Sequence, residues 1–517
     1  MKRVVLSTLN ARYAHASLGL RYLRANLGAH RERSAIREFV IGQRTEEIAE
    51  QILAERPDIL GLGVYIWNVE ECTRLVLLLK QVAPDLVVVL GGPEVSYETD
   101  AQPICSAADY VITGWGDVSF AELVRALEAG APPAGRIIPG AQPKLAELAL
   151  PYGEYTEEDV AKRHLYVEAS RGCPFKCEFC LSALDKTAWP FPLDAFMQEL
   201  EHLYARGARQ FKFVDRTFNL KVDTSLRILR FFLDKLAAHP DDPVFAHFEL
   251  VPDHLPDRLK SILPDFPPGT LQFEIGIQTF NPDVQAAISR RQDNDAACAN
   301  LAWLREHTRA HLHVDLIAGL PGEDLQSFAA GFDRLVALRP HEIQFGILKR
   351  LRGAPVARHT AAHDLRFNPA PPYSILSTDR LDFPTLQRMT RFARYWDLVA
   401  NSGRFGSALP LLLGASPFSR FMQFSDWLYA QSRRTHAIAH ERLIGYLHEF
   451  MHSALGEQET VVADALVGDY RAQGGRTRLP FDRSDAPLPL PRSKAGKEAV
   501  PKRQRRHLDS DLAAAQD

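Results

Sequence analysis

Residues 168–183 read EASRGCPFKCEFCLSA, and three of the chain's six cysteines fall inside this stretch as Cys173-x3-Cys177-x2-Cys180. Thiolates are soft ligands that suit iron–sulfur clusters or zinc. A structural zinc site needs a fourth ligand close by, and the downstream candidates, such as His202, are distant along the chain. The loop therefore points to a metal centre with one position left open for a substrate or cofactor. Spacing alone also allows a zinc knot completed by a remote ligand. The remaining cysteines, Cys72, Cys105 and Cys298, are scattered and read as small buried hydrophobes. Six cysteines are too few for a disulfide scaffold of 517 residues, which fits a reducing compartment.

The surroundings of this loop set the fold. LYVEAS (165–170) reads as the strand that enters it. FKFVD (211–215), FAHFEL (245–250), LQFEIGIQ (271–278), HVDLIAGL (313–320) and IQFGIL (343–348) read as further strands, with helical segments between most of them. Repeated β-α units of this kind predict a full or partial TIM-like (β/α) barrel with its functional groups at the strand C-termini. Upstream, VVLSTL (4–9), ILGLGVYIW (59–67), LVVVLGG (86–92) and YVIT (110–113) are buried-strand runs that alternate with helices. They predict an α/β, doubly wound, flavodoxin-like domain whose ligand sits at the carboxyl ends of the strands. The resulting partition is 1–140 for this domain, 141–160 for a linker, 161–355 for the barrel, 356–480 for a helical C-terminal region and 481–517 for a disordered basic tail.

Composition is that of a soluble globular protein: 46% hydrophobic, 24% charged, formal net charge −3. The charge balance argues against a nucleic-acid partner. No apolar run reaches membrane-helix length, and the N-terminus lacks the pattern of a signal peptide, so a cytoplasmic location with no membrane contact is expected.

The cysteine spacing, the RGCP lead-in and the aromatic Phe179 resemble the radical S-adenosylmethionine (SAM) superfamily. EIGIQT (274–279) and DLIAGLPGE (315–323) are similar to later-strand motifs of its coproporphyrinogen dehydrogenase and methylthiotransferase branches. The resemblance implies a [4Fe–4S] cluster on Cys173, Cys177 and Cys180, with its open iron binding SAM. Electron transfer then cleaves SAM to a 5′-deoxyadenosyl radical, with the electron coming from a flavodoxin- or ferredoxin-type reductant. SAM-binding candidates are Phe179 and Gly319 beside the adenine or ribose, with Asp215, Asn219, Glu249 and Gln278 at or near strand ends. Strand-end turn or cap roles are the plain alternative for the polar ones. The family's GGE-like position is occupied here by VDRTFN (214–219).

The N-terminal segment LGLRYL (18–23), the pair Gly91-Gly92 and Gly114-Trp115-Gly116-Asp117 resemble the cobalamin-binding domain that precedes many such cores. The resemblance implies a cobalamin contacted by Leu18, Gly19, Gly91, Gly92, Gly114 and Gly116. A generic flavodoxin-like domain with tight turns is the alternative. Some cobalamin proteins carry Asp-x-His-x-x-Gly after the first strand; here residues 10–19 read NARYAHASLG. No histidine ligation of cobalt is therefore expected, and His15 reads as a loop residue.

FVDRTFN (213–219), SILSTD (374–379), YWDLVANSGRF (395–405) and RQRRH (503–507) resemble cobalamin-type radical SAM proteins with a C-terminal DUF4080 region, a group whose substrate is unknown. Arg394, Tyr395, Trp396, Asn401 and Arg404 read as helix packing rather than as a lid, and the run 502–506 as a solvated basic segment. The reading that results is a radical SAM enzyme performing cobalamin-dependent methyl transfer. Its rivals are a radical rearrangement or cyclisation enzyme with auxiliary or lost cobalamin, and a non-catalytic cobalamin or redox sensor.

Overall fold

The computed structural model describes residues 1–483 and 503–508. The chain divides into two compact units. The first comprises Met1–Arg216, Lys349–Arg358 and Phe367–Ser374; the second comprises Thr217–Leu348, His359–Arg366 and the described residues from Ile375 onward.

The first unit is built on a six-stranded sheet: β1 (Val4–Asn10), β2 (Ser34–Val40), β3 (Ile59–Gly63), β4 (Val87–Gly91), β5 (Tyr110–Gly114) and β6 (Ile137–Gly140). All neighbours are parallel, in the order β2-β1-β3-β4-β5-β6. Both faces are covered, as the apolar runs require. Val5 and Leu9 of β1 join a cluster with Cys72, Leu75 and Val88, while Val4 and Leu6 join another with Phe120 and Val124. Gly61 is needed where β1 and the helix Ser119–Glu128 crowd β3: a Cβ there would lie 2.8 Å from Leu6 Cδ2 and 2.9 Å from the Phe120 ring. Chain order reverses between β1 and β3, so their carboxyl ends diverge and open a crevice.

Four expected strands became six. SAIREFV (β2) alternates charged and apolar residues at a half-exposed edge, and IIPG (β6) carries a proline at the opposite edge. Neither presents the continuous apolar run that identifies a central strand.

The same unit contains β7 (Leu165–Val167) and β10 (Gln210–Phe213), which pair in parallel. Between them lies an antiparallel hairpin of β8 (Ser170–Gly172) and β9 (Ala188–Pro190), which the sequence reading did not anticipate. Gly172 has φ +96°, and a Cβ would meet the Thr187 carbonyl at 2.5 Å, so the hairpin requires glycine immediately before Cys173. The helix Glu157–Lys162, started by a capping box of Thr156 and Asp159, begins within residues 141–160 and ends beyond them.

The second unit carries β11 (Phe245–Leu250), β12 (Leu271–Gln278), β13 (His311–Ala318) and β14 (Glu342–Ile347), parallel in chain order. Helix Val222–Ala238 leads into β11, and helices Asn294–His307 and Leu325–Ala337 lie between β12 and β13 and between β13 and β14. Asp293 and Asp324 side chains accept N–H groups in the first turns of the last two. Helices Phe383–Val399, Pro417–Ser432, His440–Glu449 and Glu459–Ala472 follow. Trp396 is 3% exposed, with its ring 4.8 Å from Phe332 and 4.9 Å from Phe421, so the aromatic run around 395–405 forms core. Among the described residues no helix is long and apolar enough to cross a membrane. Of the tail 481–517, residues 503–508 are helical and Arg503 pairs with Glu342 (2.9 Å) and Asp397 (2.8 Å), where a solvated run was expected; 484–502 and 509–517 lie outside the described residues.

Candidate functional site: a cavity beside the cysteine loop

A cavity of about 490 Å³ opens at the carboxyl edge of the first unit's sheet, where chain order reverses. Its walls come from the segments that follow β1, β3, β4 and β5. Leu18, Gly19, Gly91, Gly92, Gly114 and Gly116, the six expected cobalamin contacts, all line it. The five glycines among them serve different ends. At Gly114, φ is +70° and a Cβ would meet nothing within 4 Å, so the missing side chain leaves free space. At Gly92, φ is +111° and a Cβ would lie 2.5 Å from the Val64 carbonyl, so glycine there lets the loops after β3 and β4 pack. Gly19, Gly91 and Gly116 leave their nearest neighbours 3.8, 3.9 and 3.6 Å from a Cβ. A large ligand can approach the backbone here, and the apolar and aromatic lining suits a bulky ring system.

The opposite wall is the cysteine segment itself. Leu181, Leu184 and Asp185, which directly follow Cys180, line the same cavity, together with Glu168 and Arg171, which precede Cys173. Arg171 is the central polar group. Its guanidinium donates to Glu168 at 2.6 Å and to Asp117 at 3.0 and 3.1 Å, and lies 4.6 Å over the Tyr22 ring and 5.0 Å over Trp115. Burial opposes its charge, but the two carboxylates outweigh burial and hold its pKa above the ordinary value. The pair Asp117–Arg171 ties the loop after β5 to the strand entering the cysteine loop. Sequence reading used Arg171 and Asp117 only as motif letters. An arginine directly before the Gly-Cys step and an acid closing GWGD were the signals available.

None of the three loop cysteines is in a disulfide. Cys177 is buried, Cys173 and Cys180 half-buried, and the Cys180 N–H donates to the Cys177 carbonyl at 3.0 Å. Burial pushes the Cys173 thiol up to about 11, opposed by the Phe175 N–H and reinforced by Cys180 and Cys177. Among the described residues no three His, Cys, Asp or Glu side chains converge on one metal-ion position. In an iron–sulfur cluster each cysteine binds a different iron, so such ligands need not converge on one position. Glu178, 2% exposed, is held by Arg358, and its carbonyl accepts the Val356 N–H at 2.8 Å, anchoring the loop.

Phe179 is half-buried within the loop. Asp215 is 3% exposed, and its carboxylate accepts the Ala169 N–H at 3.0 Å and the Ser170 hydroxyl at 2.6 Å. Burial pushes it up to about 7 against those two hydrogen bonds. It braces the turn from β7 to β8. In the second unit, Asn219 accepts the Val251 N–H at 2.8 Å and donates to the Val251 and His254 carbonyls, clamping the loop after β11. Both side chains are engaged by their own chain, which corresponds to the turn-bracing alternative. Glu249 is half-buried on β11. Gln278 sits at a β-bulge ending β12 with φ +69°, in the left-handed region that a non-glycine residue adopts uncommonly. Gly319 has φ +86°, and a Cβ would meet Ile375 Cγ2 at 2.6 Å. His15 does not line the cavity; its Nδ1 is 2.6 Å from the Tyr166 hydroxyl. A buried polar group that sequence reading passed over lies in the second unit, where Glu342 faces His311 (3.1 Å) and His313 (3.4 Å). Asp315 and Glu342 outweigh the effect of burial and hold His313 up at about 10.

Known proteins match this arrangement region by region. Residues 4–124 match the B12 binding domain, 167–335 the Radical SAM superfamily and 361–484 a protein family of unknown function, DUF4080. The 2-(S-pantetheinyl)-carbapenam-3-carboxylate methyltransferase of Streptantibioticus cattleyicolor is 26% identical over 56% of this chain and 47% of its own length. The cobalamin-dependent radical SAM methyltransferase TokK of Streptomyces tokunonensis is 26% identical over 57% and 47%. The chain spans about half the length of the curated relatives it matches. In fold it is similar to the radical SAM methyltransferase TsrM from Kitasatospora setae (18% identity, TM-score 0.58, 72% of this chain and 80% of that one). It is also similar to the cobalamin-dependent SAM radical enzyme OxsB (11% identity, TM-score 0.60, 92% and 80%). In chain order, its regions thus match the B12 binding domain, the Radical SAM superfamily and DUF4080.

Proposed function

We propose that this protein is a radical SAM enzyme that transfers a methyl group with the help of cobalamin. The observation that carries this reading is the shared wall: the cavity of the B12-binding domain is closed by residues directly flanking the three cysteines. Cys173, Cys177 and Cys180 would hold a [4Fe–4S] cluster, leaving one iron for SAM. The glycine-lined cavity would hold the corrin and its tail. When bound, these groups supply reductive cleavage of SAM and methyl transfer.

The chain's own residues position and shield. Arg171, fixed by Glu168 and Asp117, would hold the two cofactor sites in register. Phe179 and Gly319 would border the adenosine portion of SAM, and Glu249 and Gln278 would accept from its ribose or amino group. Asp215 and Asn219 would act as positioning residues through the loops they brace. His15, occupied by Tyr166 away from the cavity, supports a cobalamin without histidine ligation. A one-electron reductant of flavodoxin or ferredoxin type and an unidentified substrate complete the reaction.

The test is reconstitution of the full chain with iron, sulfide and hydroxocobalamin under anaerobic conditions. Cobalamin co-eluting at about one per chain, and S-adenosylhomocysteine formed alongside 5′-deoxyadenosine, are expected. 5′-Deoxyadenosine without any S-adenosylhomocysteine or bound cobalamin would favour radical rearrangement instead.

A further inference from the structure

The cysteine segment connects β8 to β9 and has two sides. Leu181, Leu184 and Asp185 line the cavity of the first unit. Pro174, Lys176 and Lys186 are exposed. Within residues 173–187 charge is sorted by depth. The two acids are withdrawn: Glu178 is 2% exposed and Asp185 is half-buried. The two lysines stand in water.

Further cations of the same unit adjoin the segment. Arg358, its side chain 63% exposed, pairs with Glu178 between Cys177 and Cys180. It ends the stretch Lys349–Arg358, which carries four basic residues and no acid. Two of the four, Arg350 and Arg352, pair with Glu98 and Glu94. Arg216 is exposed just beyond the end of β10. Burial raises both the Asp185 carboxyl and the Cys173 thiol, and the positive charge of Arg216 opposes it at each, joined at Asp185 by Lys176. The whole chain has formal net charge −3, so this positive face is local. The plain alternative is that the cations only offset the charge of metal-bound thiolates. Exposed charges are poorly placed for that, since salt screens them within about 8 Å. They are well placed to steer a charged partner.

We propose that the exposed side of the cysteine segment is the docking surface for the electron donor, a small acidic one-electron carrier protein. It seats around Pro174 against Lys176, Lys186, Arg216 and Arg358. The inference rests on the radical SAM reading above, in which one electron must enter at the cysteine loop. The carrier is oxidised by one electron as the cluster is reduced by one. The other side of the segment faces the cofactor cavity, which leaves the solvent side for the donor.

Calorimetric titration of the cluster- and cobalamin-loaded full chain with oxidised plant-type ferredoxin, an acidic carrier, tests the docking directly. Binding once per chain is expected at about 50 mM salt, weakened about tenfold or more at about 300 mM. At the lower salt, Lys176→Glu combined with Lys186→Glu should weaken it about tenfold as well. Lys176 also donates to the Ala183 and Asp185 carbonyls, so Lys186→Glu alone is the check. It should weaken binding about threefold with the cluster's visible absorbance unchanged. A second arm follows 5′-deoxyadenosine. Release driven by reduced ferredoxin should fall about tenfold in the double variant, while release driven by dithionite, which needs no protein surface, stays within about twofold. Equal loss in both arms means that the cations act on the cluster itself and overturns the docking assignment. So does an absence of ferredoxin binding, or binding that neither salt nor the substitutions weaken. No release from the parent chain with dithionite is instead a failure of the radical SAM reading, and overturns this inference with it.

Discussion

Replacing Arg171 with methionine tests the link between the two proposed cofactor sites. Methionine keeps an apolar stem over Tyr22 and Trp115 but deletes the guanidinium. Glu168 and Asp117, with side chains 7% and 9% exposed, are then left buried opposite no cation. Removing one partner from a buried ion pair costs about 3–5 kcal/mol, against about 0–1 kcal/mol for a surface pair. Arg171 is itself 21% exposed, so the lower end, about 3 kcal/mol, is expected. Urea unfolding followed by tryptophan fluorescence is the assay, since Trp115 and Trp189 stand in edge contact at 5.7 Å beside Arg171. The triple variant R171M/E168Q/D117N should recover most of the loss, because neutral amides no longer demand a counter-charge. A loss under about 1 kcal/mol for R171M, or no recovery in the triple variant, would refute the argument that this triad is a buried electrostatic brace.

Other consequences are testable separately. Cys173→Ala, Cys177→Ala and Cys180→Ala should each abolish the iron–sulfur visible absorbance of reconstituted protein, while Cys298→Ala should leave it intact. Gly19→Leu should lower cobalamin occupancy at least about tenfold by filling the cavity; the change gains roughly 0.8 kcal/mol of helix propensity, so a melting temperature at or above that of the parent would show that the loss is not misfolding. Asp215 has a folded pKa raised to about 7 from an ordinary 3.8. For an acid the raised value means that the neutral form is the stabilised one. Its contribution is therefore complete below about pH 4 and is lost as pH rises through 7. Asp215→Asn should flatten the decline in unfolding free energy between about pH 4 and 7, and an unchanged slope would contradict the buried placement.

The parts legible in the sequence were those in which local pattern and chemistry coincide. Cysteine spacing reports a ligand set directly, and ILGLG and VVVLG could only be central parallel strands. All six small or apolar residues expected at the sheet's carboxyl edge line one cavity because strand-end loops of a doubly wound sheet must meet there. The edge strands β2 and β6 were not legible, since their exposure breaks the apolar run. The hairpin flanking the cysteines was hidden in strands of three residues each. The Arg171–Asp117 pair spans 54 residues, and no periodicity connects positions that far apart. Asp215 and Asn219 were legible as polar residues near strand ends, but whether such a residue faces a ligand or its own chain depends on loop geometry that propensities do not encode.

In the proposed function, Cys173, Cys177 and Cys180 hold a cluster that cleaves SAM. Anaerobically reconstituted, reduced protein incubated with SAM and analysed by mass spectrometry decides it. Release of 5′-deoxyadenosine by the parent chain, and none by Cys180→Ala, is the predicted result. Absence of 5′-deoxyadenosine from fully loaded, reduced parent protein, or equal release by Cys180→Ala, would contradict it.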